Sequence, residues 1–281
     1  MINTICVTGA GTMGNGIAQA AAQSGFSTLL FDVSNASLDK ARQQINQQLQ
    51  QLVQKQKITQ PQANEAWARL SFTNNINDCK APLVIEAIIE KMEAKITLFN
   101  QLSHINSPHT IFATNTSALS ITSIQQQIPH PQRVAGMHFF NPATIMKLVE
   151  LVQAPLTSDA VINKLQAVCS QMNKVSVVCK DAPGFIVNRV ARHYYLEALK
   201  MVEQGLVSIQ QADEIMEASG FKMGPFKLMD LIGMDINLAV SKNIYEAFNQ
   251  AQRFAPSALQ IQKVNDGALG RKTGKGFYQY T

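Results

Sequence analysis

At 281 residues the chain has room for two domains, one larger than the other, and ample sequence to bury a core. Its composition, 46% hydrophobic and 15% charged with glutamine supplying much of the polar surface, is that of a soluble globular protein and excludes a disordered one. The net charge of +5 is scattered along the chain without a basic run, which argues against nucleic-acid binding and suits an anionic small ligand.

In chain order, Ile2 to Val7 is a short apolar segment, Met13 to Ser24 is alanine-rich and helical, Gly25 is a natural helix stop, and Ser27 to Phe31 is apolar again. This spacing predicts strand, helix, strand. Between Ser37 and Arg69 the pattern turns glutamine-rich, with Ile45, Leu49, Leu52 and Val53 at helical spacing and Pro61 opening a second helix. A polar helical hairpin inserted into a sheet domain is expected, its glutamine face read as solvent surface. Strand candidates follow at Pro82 to Ile89, Thr110 to Ala113, Arg133 to His138, Lys147 to Val152 and Lys174 to Val178, so a mostly parallel sheet is expected to run to about residue 180. The stretch Asp181-Ala182-Pro183-Gly184-Phe185 breaks the pattern, and beyond it Ile186 to Glu203, Ile209 to Ala218 and Phe226 to Asn249 carry helical periodicity. The expected architecture is α/β: a Rossmann-like domain over residues 1–182 and an all-helical domain over 183–281.

The chemistry starts at Gly9-Ala10-Gly11-Thr12-Met13-Gly14, a G-x-G-x-x-G that follows a strand and opens a helix. Gly9 permits a tight turn, Gly11 lets the backbone approach a pyrophosphate, Gly14 lets helix and strand pack closely, and the helix N-terminus attracts phosphate. Asp32, 18 residues after Gly14, ends the second strand where an acid accepts hydrogen bonds from an adenosine ribose and repels a 2′-phosphate, favouring NAD over NADP. A bland alternative makes Asp32 a cap for the next helix.

Two further stretches carry polar residues at strand ends, where open α/β sheets bind ligands. Thr114-Asn115-Thr116-Ser117 follows one strand, and Ser117 is either near a nicotinamide or the cap of a helix starting near Leu119. Of five histidines only His138, in GMHFFNP, sits at a strand end among aromatics, where a neutral imidazole is suited to take a secondary alcohol's proton. Glu150 is a candidate to hold that imidazole's tautomer; spacing alone equally allows a structural histidine and a surface glutamate. Cys6, Cys79, Cys169 and Cys179 form no C-x-x-C pair, so neither a zinc site nor a disulfide framework is expected, and reduced thiols in a cytoplasmic protein are the plain reading. The first apolar run is too short for a secretion signal, and no stretch approaches the ~20 apolar residues of a membrane span.

Six colinear stretches, GAGTMGNGIA, ATNTSALSI, GMHFFNPATIMKLVEL, CKDAPGFIVNR, MGPFKLMDLIG and GRKTGKGFY, resemble the short-chain L-3-hydroxyacyl-CoA dehydrogenases across essentially the whole chain, most closely the bacterial 3-hydroxybutyryl-CoA dehydrogenases. The resemblance implies a general base at His138 with Glu150 as its partner carboxylate, and Ser117 and Asn188 hydrogen-bonded to the substrate around its reacting oxygen. For NAD it implies Asp32 at the adenosine ribose, Glu90 and Lys95 along the nicotinamide half beside Asn115, and a further contact at Lys272. For coenzyme A it implies Lys55, with Gln48 standing where better-known relatives carry serine; Ala143-Thr144-Ile145 departs from a proline that relatives often have. It also implies closure of the two domains around an acyl-CoA with Pro183 and Gly184 near the hinge, a homodimer through the helical domain, and a role in fatty-acid or butanoate metabolism. A CoA-free 3-hydroxy-acid dehydrogenase and a nucleotide-binding protein without catalysis are the rival readings.

Overall fold

Residues 2–280 are described by a computed structural model. Contacts divide the chain into two units, Met1–Ala182 and Pro183–Thr281. The first is built on a sheet whose central strands read as apolar runs because both faces are covered. Strands β1 (Thr4–Thr8), β2 (Ser27–Phe31), β3 (Leu70–Thr73), β4 (Leu83–Glu86), β5 (Ile111–Thr114), β6 (Val134–Phe139), β7 (Leu148–Gln153) and β8 (Val175–Lys180) lie in the order β3-β2-β1-β4-β5-β6-β7-β8. Every neighbouring pair is parallel except β6 with β7. Every residue of β4, β5 and β6 is buried, as expected of central strands packed on both sides.

Helix α1 (Thr12–Gln23) follows β1 and buries its alanine face against the sheet; it ends at Ser24, and Gly25, with φ +93°, makes the left-handed stop that a side chain would resist. Helices α2 (Asn35–Gln54) and α3 (Gln60–Ala68) form the hairpin expected from the periodicity; Leu38, Ala41, Ile45 and Leu49 of α2 are buried at helical spacing while the glutamines stay outside. Strand β3 directly after it was not expected: its four residues are mostly half-buried at the sheet edge, and their alternation is too short to stand out. Helices α4 (Met92–Ile105), α5 (Ile121–Gln125) and α6 (Asp159–Gln171) complete this unit.

The second unit is helical: α7 (Val187–Glu203), α8 (Ile209–Ala218), α9 (Pro225–Ile232), α10 (Met234–Ala247) and α11 (Ala258–Asn265), around Tyr195, Leu199, Phe226, Met229 and Met234. The stretch from Phe226 to Asn249, which reads as one periodic run, is two helices broken at Gly233, whose φ of +102° no helix accommodates. Two buried aspartates organise this unit. Asp213 on α8 accepts the Phe226 and Lys227 amides at 2.8 and 3.0 Å, capping α9, whose own N-cap Gly224 has no side chain to offer. Asp230 on α9 accepts the Phe277 and Tyr278 amides and the Tyr280 hydroxyl at 2.9, 3.0 and 2.9 Å, stitching down the tail. A Cβ at Gly276 would stand 2.1 Å from the Asp230 carboxylate, so only glycine lets the tail come this close.

Candidate active site

The glycine turn gives each of its glycines a separate job. Gly9 has φ +100°, and a Cβ there would lie 2.5 Å from the Ala87 carbonyl oxygen. A Cβ at Gly14 would lie 1.7 Å from the Gly9 carbonyl oxygen, so this glycine closes helix onto strand. At Gly11 a Cβ would meet nothing within 4 Å: it would project into open space at the start of α1, where Gly11 is the N-cap and no side chain takes the first-turn amides of Thr12 and Met13. Space and unclaimed donors together fit a pyrophosphate. Beside them Asp32 accepts the Ala10 amide at 2.8 Å with one oxygen and the Ser34 amide at 2.9 Å with the other. Its alternative reading as a helix cap is removed, because Ser34 caps α2 through the Ser37 amide. The carboxylate is thus fixed against the glycine turn, half-buried, with lone pairs left for a diol.

Two strands along, the segment Thr114 to Ser117 leaves β5. Ser117 caps nothing; Ser120 is the N-cap of α5, accepting the Ser123 amide at 3.2 Å. Instead the Ser117 amide and the Thr116 hydroxyl both donate to Glu90 Oε1. Lys95, only 1% exposed, lies between Glu90 Oε2 at 3.2 Å and Glu86 Oε1 at 2.6 Å. Lys95 therefore acts from the interior, and Glu90, 40% exposed, is the member of the pair that reaches outward. Asn115 links neighbouring strand ends: its amide donates to the Glu86 carbonyl at 2.7 Å and its Oδ1 accepts the Phe139 amide at 2.8 Å. Glu86 escaped the sequence reading because it closes the apolar run Leu83 to Ile85; a charge ending a fully buried strand was the available signal.

His138 and Glu150 are brought together by the antiparallel register of β6 and β7, which sets them directly opposite each other. His138 Nδ1–H donates to Glu150 Oε2 at 2.8 Å, with side-chain exposures of 8% and 1%. The Phe140 ring packs 4.5 Å from the imidazole. On β8, paired to β7, burial together with the Glu150 and Asp181 charges pushes the Cys179 thiol up to about 11. The loop after β6 is held by Lys174, whose ammonium donates to the Ala143 and Met146 carbonyls at 2.6 and 2.8 Å.

The hairpin contributes a cavity of about 360 Å³ between α1, α2 and that loop, lined among others by Thr12, Asn15, Gln44, Gln48, Asn141 and Thr144. Asn15 Nδ2 donates to Gln44 Oε1 at 2.8 Å across it. Part of the glutamine face is therefore a cleft wall and not plain surface. Gln48 belongs to that wall; Lys55, the exposed C-cap of α2, lies outside it.

Residues 4–182 match the NAD-binding domain of 3-hydroxyacyl-CoA dehydrogenase, and residues 184–280 match the C-terminal domain of the same enzymes. The chain belongs to the 3-hydroxyacyl-CoA dehydrogenase family. It is 43% identical to the 3-hydroxyadipyl-CoA dehydrogenase of Escherichia coli over 99% of its own length and 59% of that protein's, so it spans less than two thirds of that relative. It is 37% identical to the mitochondrial hydroxyacyl-coenzyme A dehydrogenase of Sus scrofa, covering 100% of this chain and 92% of the pig protein. The crystal structure of (S)-3-hydroxybutyryl-CoA dehydrogenase from Ralstonia eutropha superposes with a TM-score of 0.95 at 37% identity, covering 100% of both chains.

As a 3-hydroxyacyl-CoA dehydrogenase family member the protein is an NAD-dependent oxidoreductase, and the first unit's glycine turn and Asp32 fit that dinucleotide. The family's C-terminal domain carries the two remaining expected residues. Asn188 is the second residue of α7 and half-buried, and the Lys272 ammonium pairs with Asp235 at 2.5 and 2.6 Å. Among the described residues no group of three or more His, Cys, Asp or Glu side chains could hold a metal, no cysteine is bridged, and no helix is long and apolar enough to cross a membrane.

Proposed function

We propose that this protein interconverts a short-chain (S)-3-hydroxyacyl-CoA, of the 3-hydroxybutyryl-CoA kind, and its 3-oxoacyl-CoA. The observation that carries the reading is the buried His138–Glu150 contact across the antiparallel β6–β7 pair of the same sheet that bears the dinucleotide turn. NAD supplies the hydride acceptor when bound. His138 removes the hydroxyl proton through Nε2, since Nδ1 is engaged, and Glu150 fixes that tautomer and balances the charge arising on the ring. Ser117 and Asn188 hydrogen-bond the oxygen that becomes the carbonyl, supplying orientation and electrostatic support. Gly9, Gly11, Thr12, Met13, Gly14 and Asp32 bind the pyrophosphate and adenosine half of the cofactor, Glu90, Lys95, Asn115 and Ser117 serve its nicotinamide half, and Lys272 makes a further cofactor contact. Gln48 and Lys55 hold the coenzyme A moiety. Residues 1–182 act as the NAD-binding domain, and residues 183–281 as the substrate and dimerisation domain of a cytoplasmic homodimer in fatty-acid or butanoate metabolism.

The deciding assay follows NADH absorbance on mixing with acetoacetyl-CoA, in parallel with NADPH and with free acetoacetate. Rapid oxidation of NADH with the CoA ester alone is the expected result. Turnover of free acetoacetate at the same rate would refute the CoA requirement, and NADH binding without turnover of acyl-CoA esters of any length would refute catalysis.

A further inference from the structure

Glu86 stands out as a carboxylate with no exposure that packing does not ask for. It is the last residue of β4, preceded by three fully buried apolar residues, Leu83, Val84 and Ile85. A buried ion pair is seldom the most stable filling of such a position, since an apolar side chain of similar size avoids the desolvation of both charges. Burial accordingly pushes the Glu86 carboxyl above the usual carboxylate range, against the downward pull of the Lys95 ammonium, the Thr114 hydroxyl and the Ile88 amide.

What the carboxylate does instead is visible in its contacts. Oε1 accepts the Ile88 amide at 2.7 Å and the Lys95 ammonium at 2.6 Å; Oε2 accepts the Thr114 hydroxyl at 2.6 Å. Two routes leave it and converge. Through Lys95 the contact passes to Glu90, whose other oxygen receives the Thr116 hydroxyl and the Ser117 amide. Through Thr114 it passes to the Thr116 amide, which donates to Thr114 Oγ1 at 3.3 Å. The first route ends on Thr116 and Ser117 and the second on Thr116, the two residues at which the chain leaves β5 and turns toward α5. At their Glu86 end these charge-assisted bonds are buried, where they fix geometry more tightly than the same bonds at a surface.

We propose that Glu86 is a positioning residue for the reaction, setting the loop that carries Ser117 through Lys95 and Glu90 on one side and Thr114 on the other. The inference rests on the function proposed above, because Ser117 is its endpoint. Glu86 touches neither substrate nor cofactor; it acts by holding the groups that hold Ser117.

The test is a double-mutant cycle in the full-length protein with Glu86→Gln, Ser117→Ala and the pair, reading kcat and KM for acetoacetyl-CoA and NADH. Glu86→Gln keeps the shape and removes the charge that anchors Lys95. The expected outcome is a kcat lowered about tenfold or more with the acyl-CoA KM moved less than about threefold, and a pair no worse than the poorer single variant, because both changes spoil one interaction. A merely structural role would lower the melting temperature and leave the effects on kcat additive. Should Glu86→Gln fail to fold, Thr114→Val cuts the second route alone and is expected to lower kcat about threefold or more, again without adding to Ser117→Ala. Additive effects overturn the proposal, as does wild-type kcat in Glu86→Gln or, where that variant does not fold, in Thr114→Val. A harmful Ser117→Ala beside a harmless Glu86→Gln sinks the positioning role and spares the proposed function, whereas a harmless Ser117→Ala removes the endpoint and with it both assignments.

Discussion

Replacing Glu150 by glutamine tests the mechanism at its most buried point. The substitution is nearly isosteric, and it deletes one negative charge 2.8 Å from His138 Nδ1 in a setting where the glutamate is 1% exposed. With an effective dielectric of about 20, a unit charge pair at this distance interacts with about 6 kcal/mol. In the transition state roughly half a charge has developed on the ring, so about 3 kcal/mol of stabilisation is at stake, or about 10²-fold in kcat. The loss is deeper where the new amide turns its NH2 toward Nδ1 and enforces the wrong tautomer, a change that can cost up to about 10⁴-fold. The fold should survive, since a neutral amide is easier to bury than a carboxylate. The assay is steady-state NADH oxidation with saturating acetoacetyl-CoA, accompanied by a thermal melt. A kcat within about threefold of wild type, on a protein that melts normally, would refute the claim that Glu150 supports charge on His138.

Gly11→Ala and Gly14→Ala should part company. The first adds a methyl to open space, so the melting temperature should hold while NADH affinity falls about tenfold or more; the second collides with the Gly9 carbonyl and should cost both, as read by fluorescence titration and thermal denaturation. Asp32→Ala should raise the NADPH-to-NADH ratio of kcat/KM by about tenfold or more, because the carboxylate that repels a 2′-phosphate is gone. Asp230→Ala leaves the Phe277 and Tyr278 amides without their acceptor and should destabilise the helical unit by about 3 kcal/mol, lowering its melting temperature by about 15 °C in calorimetry.

Local signals made much of the fold legible. The glycine turn, the strand–helix–strand around it and the hairpin show in the sequence because glycine spacing, helical periodicity and Pro61 act within a few residues of where they are read. Strand β3 does not show, because its pairing with β2 is decided 43 residues away, where Ser71 reaches the Thr28 carbonyl, and its alternation of Leu70 and Phe72 with Ser71 and Thr73 lasts only four residues, the shortest run that signals a strand. The break at Gly233 does not show because a lone glycine is tolerated inside a periodic helix; only its positive φ reveals the stop. In the site, His138 and Glu150 could each be picked by residue type, but their meeting depends on β7 running opposite to β6, and strand direction leaves no mark in composition. Glu86 was hidden by the company it keeps, since a carboxylate at the end of an apolar run reads as the place where a strand reaches solvent.

The stitching of the tail onto Asp230 bears on how the protein is made. The Asp213 carboxylate accepts the Tyr278 hydroxyl at 2.7 Å as well as the start of α9, and Asp230 finds all three of its partners between Phe277 and Tyr280. Until residues 277–280 are in place, the helical unit carries an interior carboxylate whose acceptor capacity those partners do not fill, so its last cooperative step waits for them. A chain that stops short of Phe277 leaves a carboxylate without these partners at the centre of the helical unit.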